Sequence, residues 1–143
     1  MIYLVRVLTI PLLALFLFSS SLVSVSLAAW TNATEPMGVN SGLLMSSIQW
    51  GDYDHDGDLD LAASGDSSLA RRLIIYRNNG GGSFTNVAEP MGAGTGVRSG
   101  SIQWGDYDND GDLDLAVSGT IDNGTNKRLI IYRNNGSGSF TNV

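Results

Sequence analysis

The chain has 143 residues, no cysteine and a formal net charge of −6 at pH 7, from 14 acidic and 8 basic side chains. That length leaves room for one domain. The missing cysteines exclude disulfides, thiolate chemistry and lipid attachment through Cys. No basic stripe exists to meet phosphates, which excludes nucleic acid as a partner.

Met1 to Arg6 carries one positive charge, Val7 to Phe18 is an apolar run, and a Ser-rich stretch ends in Ser26-Leu27-Ala28-Ala29. Small residues at Ser26 and Ala28 suit cleavage after Ala28, so residues 1–28 read as a secretory signal peptide. The rival reading is an uncleaved anchor, since Val7 to Ala29 is long enough to span a bilayer. On either reading the remainder is expected outside the cytoplasm: secreted, at the cell surface, or periplasmic if the source is bacterial. No membrane contact is expected beyond this segment. Loss of Arg6 leaves 7 basic against 14 acidic side chains, a mature charge of −7. An exported domain without disulfides needs another staple, and metal loops can serve.

From Ala29 onward the sequence repeats. An offset of 54 aligns Thr31-Asn32 with Thr85-Asn86, Glu35-Pro36-Met37-Gly38 with Glu89-Pro90-Met91-Gly92, and Ser47-Ile48-Gln49-Trp50 with Ser101-Ile102-Gln103-Trp104. After an acidic stretch the offset becomes 56, and Arg72-Leu73-Ile74-Ile75-Tyr76-Arg77-Asn78-Asn79-Gly80 matches Arg128-Leu129-Ile130-Ile131-Tyr132-Arg133-Asn134-Asn135-Gly136. The two extra residues fall in Thr120 to Asn126, a polar loop where insertion costs little.

Within one unit, strands are predicted at Ser46 to Trp50, Leu59 to Ser64, Leu73 to Arg77 and Ser83 to Val87. The third stops at Asn78-Asn79-Gly80, where Asn-Gly suits a tight hairpin. Glu89-Pro90 ends the unit, because Pro lacks the donor a ladder requires. No window outside the first segment shows helical periodicity. The fold class is therefore all-β: two four-stranded β-propeller blades, at about 43–87 and 97–143, after a leading strand at 30–34. Closed propellers need about four or more blades. The expectation is that this is the front of a longer protein; the alternative is self-assembly of several chains into a ring.

Between the first two strands of each unit lies an acidic run. Gly51-Asp52-Tyr53-Asp54-His55-Asp56-Gly57-Asp58-Leu59-Asp60-Leu61 returns as Gly105-Asp106-Tyr107-Asp108-Asn109-Asp110-Gly111-Asp112-Leu113-Asp114-Leu115. Carboxylates packed so densely repel one another unless a counter-charge holds them. Calcium takes several oxygen ligands at flexible angles, and alternating Asp residues with a Gly at the sharp bend supply them. Asp52, Asp54, Asp56 and Asp60 occupy positions one, three, five and nine. Asp58, at position seven, would offer its backbone carbonyl. Asp106, Asp108, Asp110, Asp112 and Asp114 repeat the pattern, so two calcium ions are expected. An EF-hand needs a Glu at position twelve and flanking helices; here position twelve is Ala63 or Val117 and the flanks are strands.

These motifs, with Leu-Ile-Ile-Tyr-Arg-Asn-Asn-Gly and the following Gly-Ser-Phe, resemble the FG-GAP/VCBS repeat family, which includes the propeller of integrin α chains and many bacterial exported proteins. The resemblance implies a closed ring of about seven blades, of which two are present. It implies that the acidic loop joins the two inner strands of a blade and binds calcium through the ten Asp residues named above.

The bland reading of the Asp runs, a solvated acidic turn, does not require a carboxylate at every odd position. Calcium itself reads as a structural staple. Extracellular modules bind it at roughly 0.1–1 mM, so near-millimolar calcium would stabilise each site by about 0.4–1.4 kcal/mol. His55 is the sole histidine and stands where the other unit has Asn109, which leaves no Ser-His-Asp or Cys-His set. Asp residues committed to a cation would be ionised ligands, not raised-pKa acids. No enzyme is expected.

Trp50 and Trp104 read as core, and Tyr76, Tyr132, Phe84 and Phe140 as packing between blades. Arg71, Arg72, Arg77, Arg128 and Arg133 read as solubilising charge. Asn32, Asn123 and Asn135 open glycosylation sequons that coincide with turn residues. Two functions follow: an adhesion or protein-binding scaffold, and, as the alternative, a carbohydrate-binding lectin-like module or accessory domain of a polysaccharide-degrading enzyme. The sequence does not name the protein or glycan ligand.

Overall fold

The computed structural model describes residues 34–38 and 41–143. The signal segment expected at 1–28, and all of the leading strand expected at 30–34 except Thr34, lie outside the described residues. Among the described residues no helix is long and apolar enough to cross a membrane.

Eight strands follow one another: β1 Leu44–Gly51, β2 Asp60–Asp66, β3 Arg71–Asn78, β4 Phe84–Ala88, β5 Arg98–Gly105, β6 Asp114–Thr120, β7 Lys127–Asn134 and β8 Phe140–Asn142. They form two four-stranded antiparallel meanders, β1-β2-β3-β4 and β5-β6-β7-β8. All eight coincide with the strands predicted from the repeat, shifted by a few residues at their ends.

Two local features depart from expectation. The β3–β4 connection is longer than a two-residue Asn-Gly hairpin. Asn79 N donates to Ser83 O at 2.8 Å, and the left-handed residues are Gly80, Gly81 and Gly82 rather than Asn79. The glycine run relaxes the turn that Asn-Gly alone would close. Near the start of β1 and β5 the ladder also slips, between Leu44 and Ser47 and between Arg98 and Ser101. Met45 and Ser99 there have φ of 48° and 51°, the signature of a bulge. Gly65 faces the first bulge, where a Cβ would stand 2.7 Å from Leu44 O.

Register places the side chains on two faces, because directly paired residues share a face and neighbours alternate. Ile48 pairs with Ala63 and Ala63 with Ile74, while Trp50 pairs with Leu61 and Leu61 with Tyr76. This is the first face of sheet one. Its second face carries Gln49, Ala62 and Ile75, with Ser47, Ser64 and Leu73. Sheet two repeats the scheme, with Ile102, Trp104, Leu115, Val117, Ile130 and Tyr132 on its first face.

The core forms where the second face of sheet one meets the first face of sheet two. Ala62, Leu73 and Ile75 pack with Ile102, Trp104, Leu115, Val117 and Tyr132, joined by Tyr53 and Val97. Each fully buried aliphatic side chain contributes about 1.5–3 kcal/mol relative to exposure. Trp104, Tyr132 and Phe140 thus pack between sheets as expected. Trp50 does not: it is 51% exposed against 8% for Trp104. Among the described residues no sheet covers the first face of sheet one, although its Ala63, Ile74 and Tyr76 are buried; the Trp50 ring stands beside that of Phe84, centroids 6.1 Å apart.

Candidate metal centres

The two acidic loops connect β1 to β2 and β5 to β6. Backbone strain in them is repeated faithfully. His55 and Asn109 have φ of 59° and 60°, and Gly57 and Gly111 have φ of 93° and 97°. The fourth loop position is left-handed, which His and Asn tolerate better than most residues. The sixth position requires glycine.

Carboxylates shape the loops by accepting their backbone N–H groups. Asp52 Oδ2 accepts from Gly57 N at 3.1 Å and Asp56 Oδ1 from Asp58 N at 2.9 Å. In the second loop Asp106 Oδ2 accepts from Gly111 N at 3.1 Å, and Asp110 Oδ1 from Asp112 N at 3.0 Å. The ninth position closes each loop at its base. Asp60 is buried, its Oδ2 accepting from Tyr53 N at 3.2 Å and its Oδ1 from Asn78 N at 2.8 Å. Asp114 does the same with Tyr107 N at 3.1 Å and Asn134 N at 2.9 Å. One carboxylate therefore binds the loop to the end of the third strand.

Burial pushes the Asp60 carboxyl above its ordinary value; the N–H groups of Asn78 and Tyr53 oppose that, and the charges of Asp54 and Asp56 add to it. Asp108 is also raised, by desolvation and by the charges of Asp110 and Asp114, against a hydrogen bond from Asp110 and the Arg133 charge. A cation would relieve this repulsion.

Asp52, Asp54 and Asp56 bring one oxygen each within 4.8 Å of one another, and Asp106, Asp108 and Asp114 do likewise. Two oxygens on one calcium, each about 2.3–2.6 Å away, stand at most about 5 Å apart, so both groups suit such an ion. Asp52 Oδ1 and Asp54 Oδ1 are buried with no hydrogen-bond partner, a costly state unless something positive meets them. Asp60 and Asp110 stand outside these two groups. The carboxylates of Asp58 and Asp112 lie beside Gly80 and Gly136, toward the neighbouring strand connections. The donor set, all carboxylate and carbonyl oxygen, fits a hard cation.

Sequence reasoning missed how the two loops meet. Asn134 Nδ2 donates to Tyr53 O at 3.0 Å in a buried contact, so the residue that caps Asp114 also holds the first loop. The Tyr53 ring stacks on Trp104, centroids 6.2 Å and planes 12° apart. His55 Nδ1 stands 3.8 Å from Asp112 Oδ1. The only sequence signal for these contacts is the repetition of Asn78 as Asn134, which does not say what either touches.

The arginines also do more than solubilise. Arg72 pairs with Glu89, Arg71 lies 3.5 Å from Asp66, and Arg98 binds Asp66 at 2.7 Å. These contacts fasten the end of β2 and the β4–β5 crossing, a role that charge composition alone did not reveal.

No curated protein and no solved structure matches the chain. Residues 52–117, from the first acid of loop one through all of loop two and into β6, match the family model described as FG-GAP-like repeat; this part of the chain carries that repeat.

Proposed function

We propose that the chain is an exported, calcium-binding β-propeller-type repeat module that serves as an adhesion or protein-binding scaffold, with calcium as a structural staple. One observation carries the reading: each loop between the first two strands of a sheet converges three carboxylates within 4.8 Å, and in loop one two of their oxygens are buried without partners. Asp52, Asp54 and Asp56, with Asp60 at the base, would hold one ion; Asp106, Asp108, Asp110 and Asp114 would hold the other. When bound, the ion supplies positive charge that offsets carboxylate repulsion. The chain's own residues do the rest. Asp60 and Asp114 fix the loop bases, and Asn134 joins one loop to the other sheet.

Calorimetric titration with calcium chloride tests this. Uptake of two ions with dissociation constants of about 0.1–1 mM is expected, and no heat at millimolar calcium would refute it. A glycan array addresses the sugar-binding alternative, for which specific retention of a glycan would be required.

A further inference from the structure

Several residues of the interface between the two sheets recur, exposed, on the outer faces: Trp50 and Ile48 on the first face of sheet one, where Ala63, Ile74 and Tyr76 are buried, and Leu129 on the second face of sheet two. We propose that a second copy of this chain docks head to tail, the first face of its sheet one seating on the second face of sheet two.

Each contact within the chain has a counterpart at its repeat position. Within the chain, Trp104 lies over Gly51, where a Cβ would come within 2.7 Å of its indole. It is stacked by Tyr53 and donates its Nε1–H to Gln49 O at 3.4 Å. The equivalent seat on sheet two is Gly105, Tyr107 and Gln103. Nothing stands within 4 Å of a Cβ on Gly105, and Tyr107 is 50% exposed where Tyr53 is 3%. The indole that would fill the seat is Trp50, the repeat of Trp104 and itself half exposed.

Other contacts follow the same rule. Ile102 is fully buried and its N–H donates to Ser47 Oγ at 3.3 Å; its repeat Ile48 is 56% exposed. Leu73 is fully buried on the second face of sheet one, and its repeat Leu129 is 79% exposed on the second face of sheet two. The polar link is duplicated as well. Asn134 Nδ2 holds Tyr53 O across the sheets, whereas Asn78 Nδ2, its repeat, donates one proton to Leu59 O of its own loop, leaving the second for Tyr107 O of a neighbour. The exposed part of each outer face therefore repeats one half of the contact made between the two sheets. Because the two faces differ, the contact is heterologous and leads to a ring or an open stack. It needs no metal.

The test is the mass of the chain, purified in calcium-containing buffer and followed by light scattering from low concentrations up to the order of 100 µM, where even weak pairing registers. Assembly growing with concentration is expected. Trp50→Lys blocks one face and Leu129→Lys the other; each alone should raise the dissociation constant about thirtyfold or more, as loss of a central apolar anchor does. Mixing the two variants should then restore pairing and stop at a dimer, because each retains the face the other lacks. Far-UV circular dichroism confirms that both variants keep their strands. A wild-type chain that stays monomeric throughout overturns the proposal. So does an assembly that only Trp50→Lys disrupts, which would mean first face on first face, and so does failure of the folded variants to pair. Calcium uptake is measured separately, so its failure would leave this result standing.

Discussion

At the scale of single residues, the ten loop aspartates divide by what their oxygens touch. Asp60 and Asp114 accept two backbone N–H groups each and are buried. Asp60→Ala or Asp114→Ala leaves those donors without partners, a loss of about 2–4 kcal/mol that urea unfolding would register even without calcium. Asp52→Ala and Asp54→Ala act differently. Each removes a buried oxygen without a protein partner, Asp52 Oδ1 or Asp54 Oδ1, so either should abolish calcium uptake at loop one. Metal-free stability should hold or rise in Asp54→Ala, whereas Asp52→Ala also removes the acceptor of Gly57 N and should cost about 0.5–1.5 kcal/mol. Asp58→Ala should leave uptake nearly unchanged, since its carboxylate stands beside Gly80 and position seven offers a carbonyl. Titration calorimetry on the three variants checks that order. The sequence showed all five acids of a loop at equal spacing; it could not show that the ninth was already engaged, because that depends on the third strand ending beside it.

At the scale of the element, identical strands meet different fates. Leu73 in β3 and Leu129 in β7 stand at the same repeat position, yet one is fully buried and the other 79% exposed. Leu73→Ala should cost about 2–5 kcal/mol. Leu129→Ala, in dilute solution, should stay within about 0.5 kcal/mol; denaturant midpoints measure both. This contrast also marks where reading from sequence stops. The Asn-Gly turns, the Glu-Pro breaks and the repeat located all eight strands, because those signals lie in the order of the chain itself. Which copy is covered is not local, and Trp50 was misjudged as core for that reason. The bulges at Met45 and Ser99 were equally invisible, since neither residue type favours a positive φ.

The crossing from β4 to β5 gives a further check at this scale. Burial works to raise the Glu89 carboxyl, but hydrogen bonds from Arg72 and Asn86 and the Arg72 charge outweigh it and hold it below its ordinary value. A lowered folded-state value means that the stability is present above the unfolded carboxylate range, about pH 4.3. It is lost as pH falls through the folded-state value. Glu89→Gln should accordingly melt below wild type at pH 7, and the gap should close on acidification; a gap constant in pH would contradict the ion pair.

At the scale of the whole molecule, two repeats share one core, and the loops that lead into β2 and β6 are joined by Asn134 and by Tyr53 stacked on Trp104. Neutralising one loop therefore bears on the placement of both sheets. With two sites each contributing about 0.4–1.4 kcal/mol at near-millimolar calcium, a protein of this size should melt several degrees higher with the ion than without it. The most direct measurement is the melting temperature of the purified chain by circular dichroism, in millimolar calcium chloride and again in excess chelator. A higher midpoint is expected in calcium, falling on chelation and returning when the ion is restored; superimposable melting curves in the two buffers would contradict a stapling role for the ion.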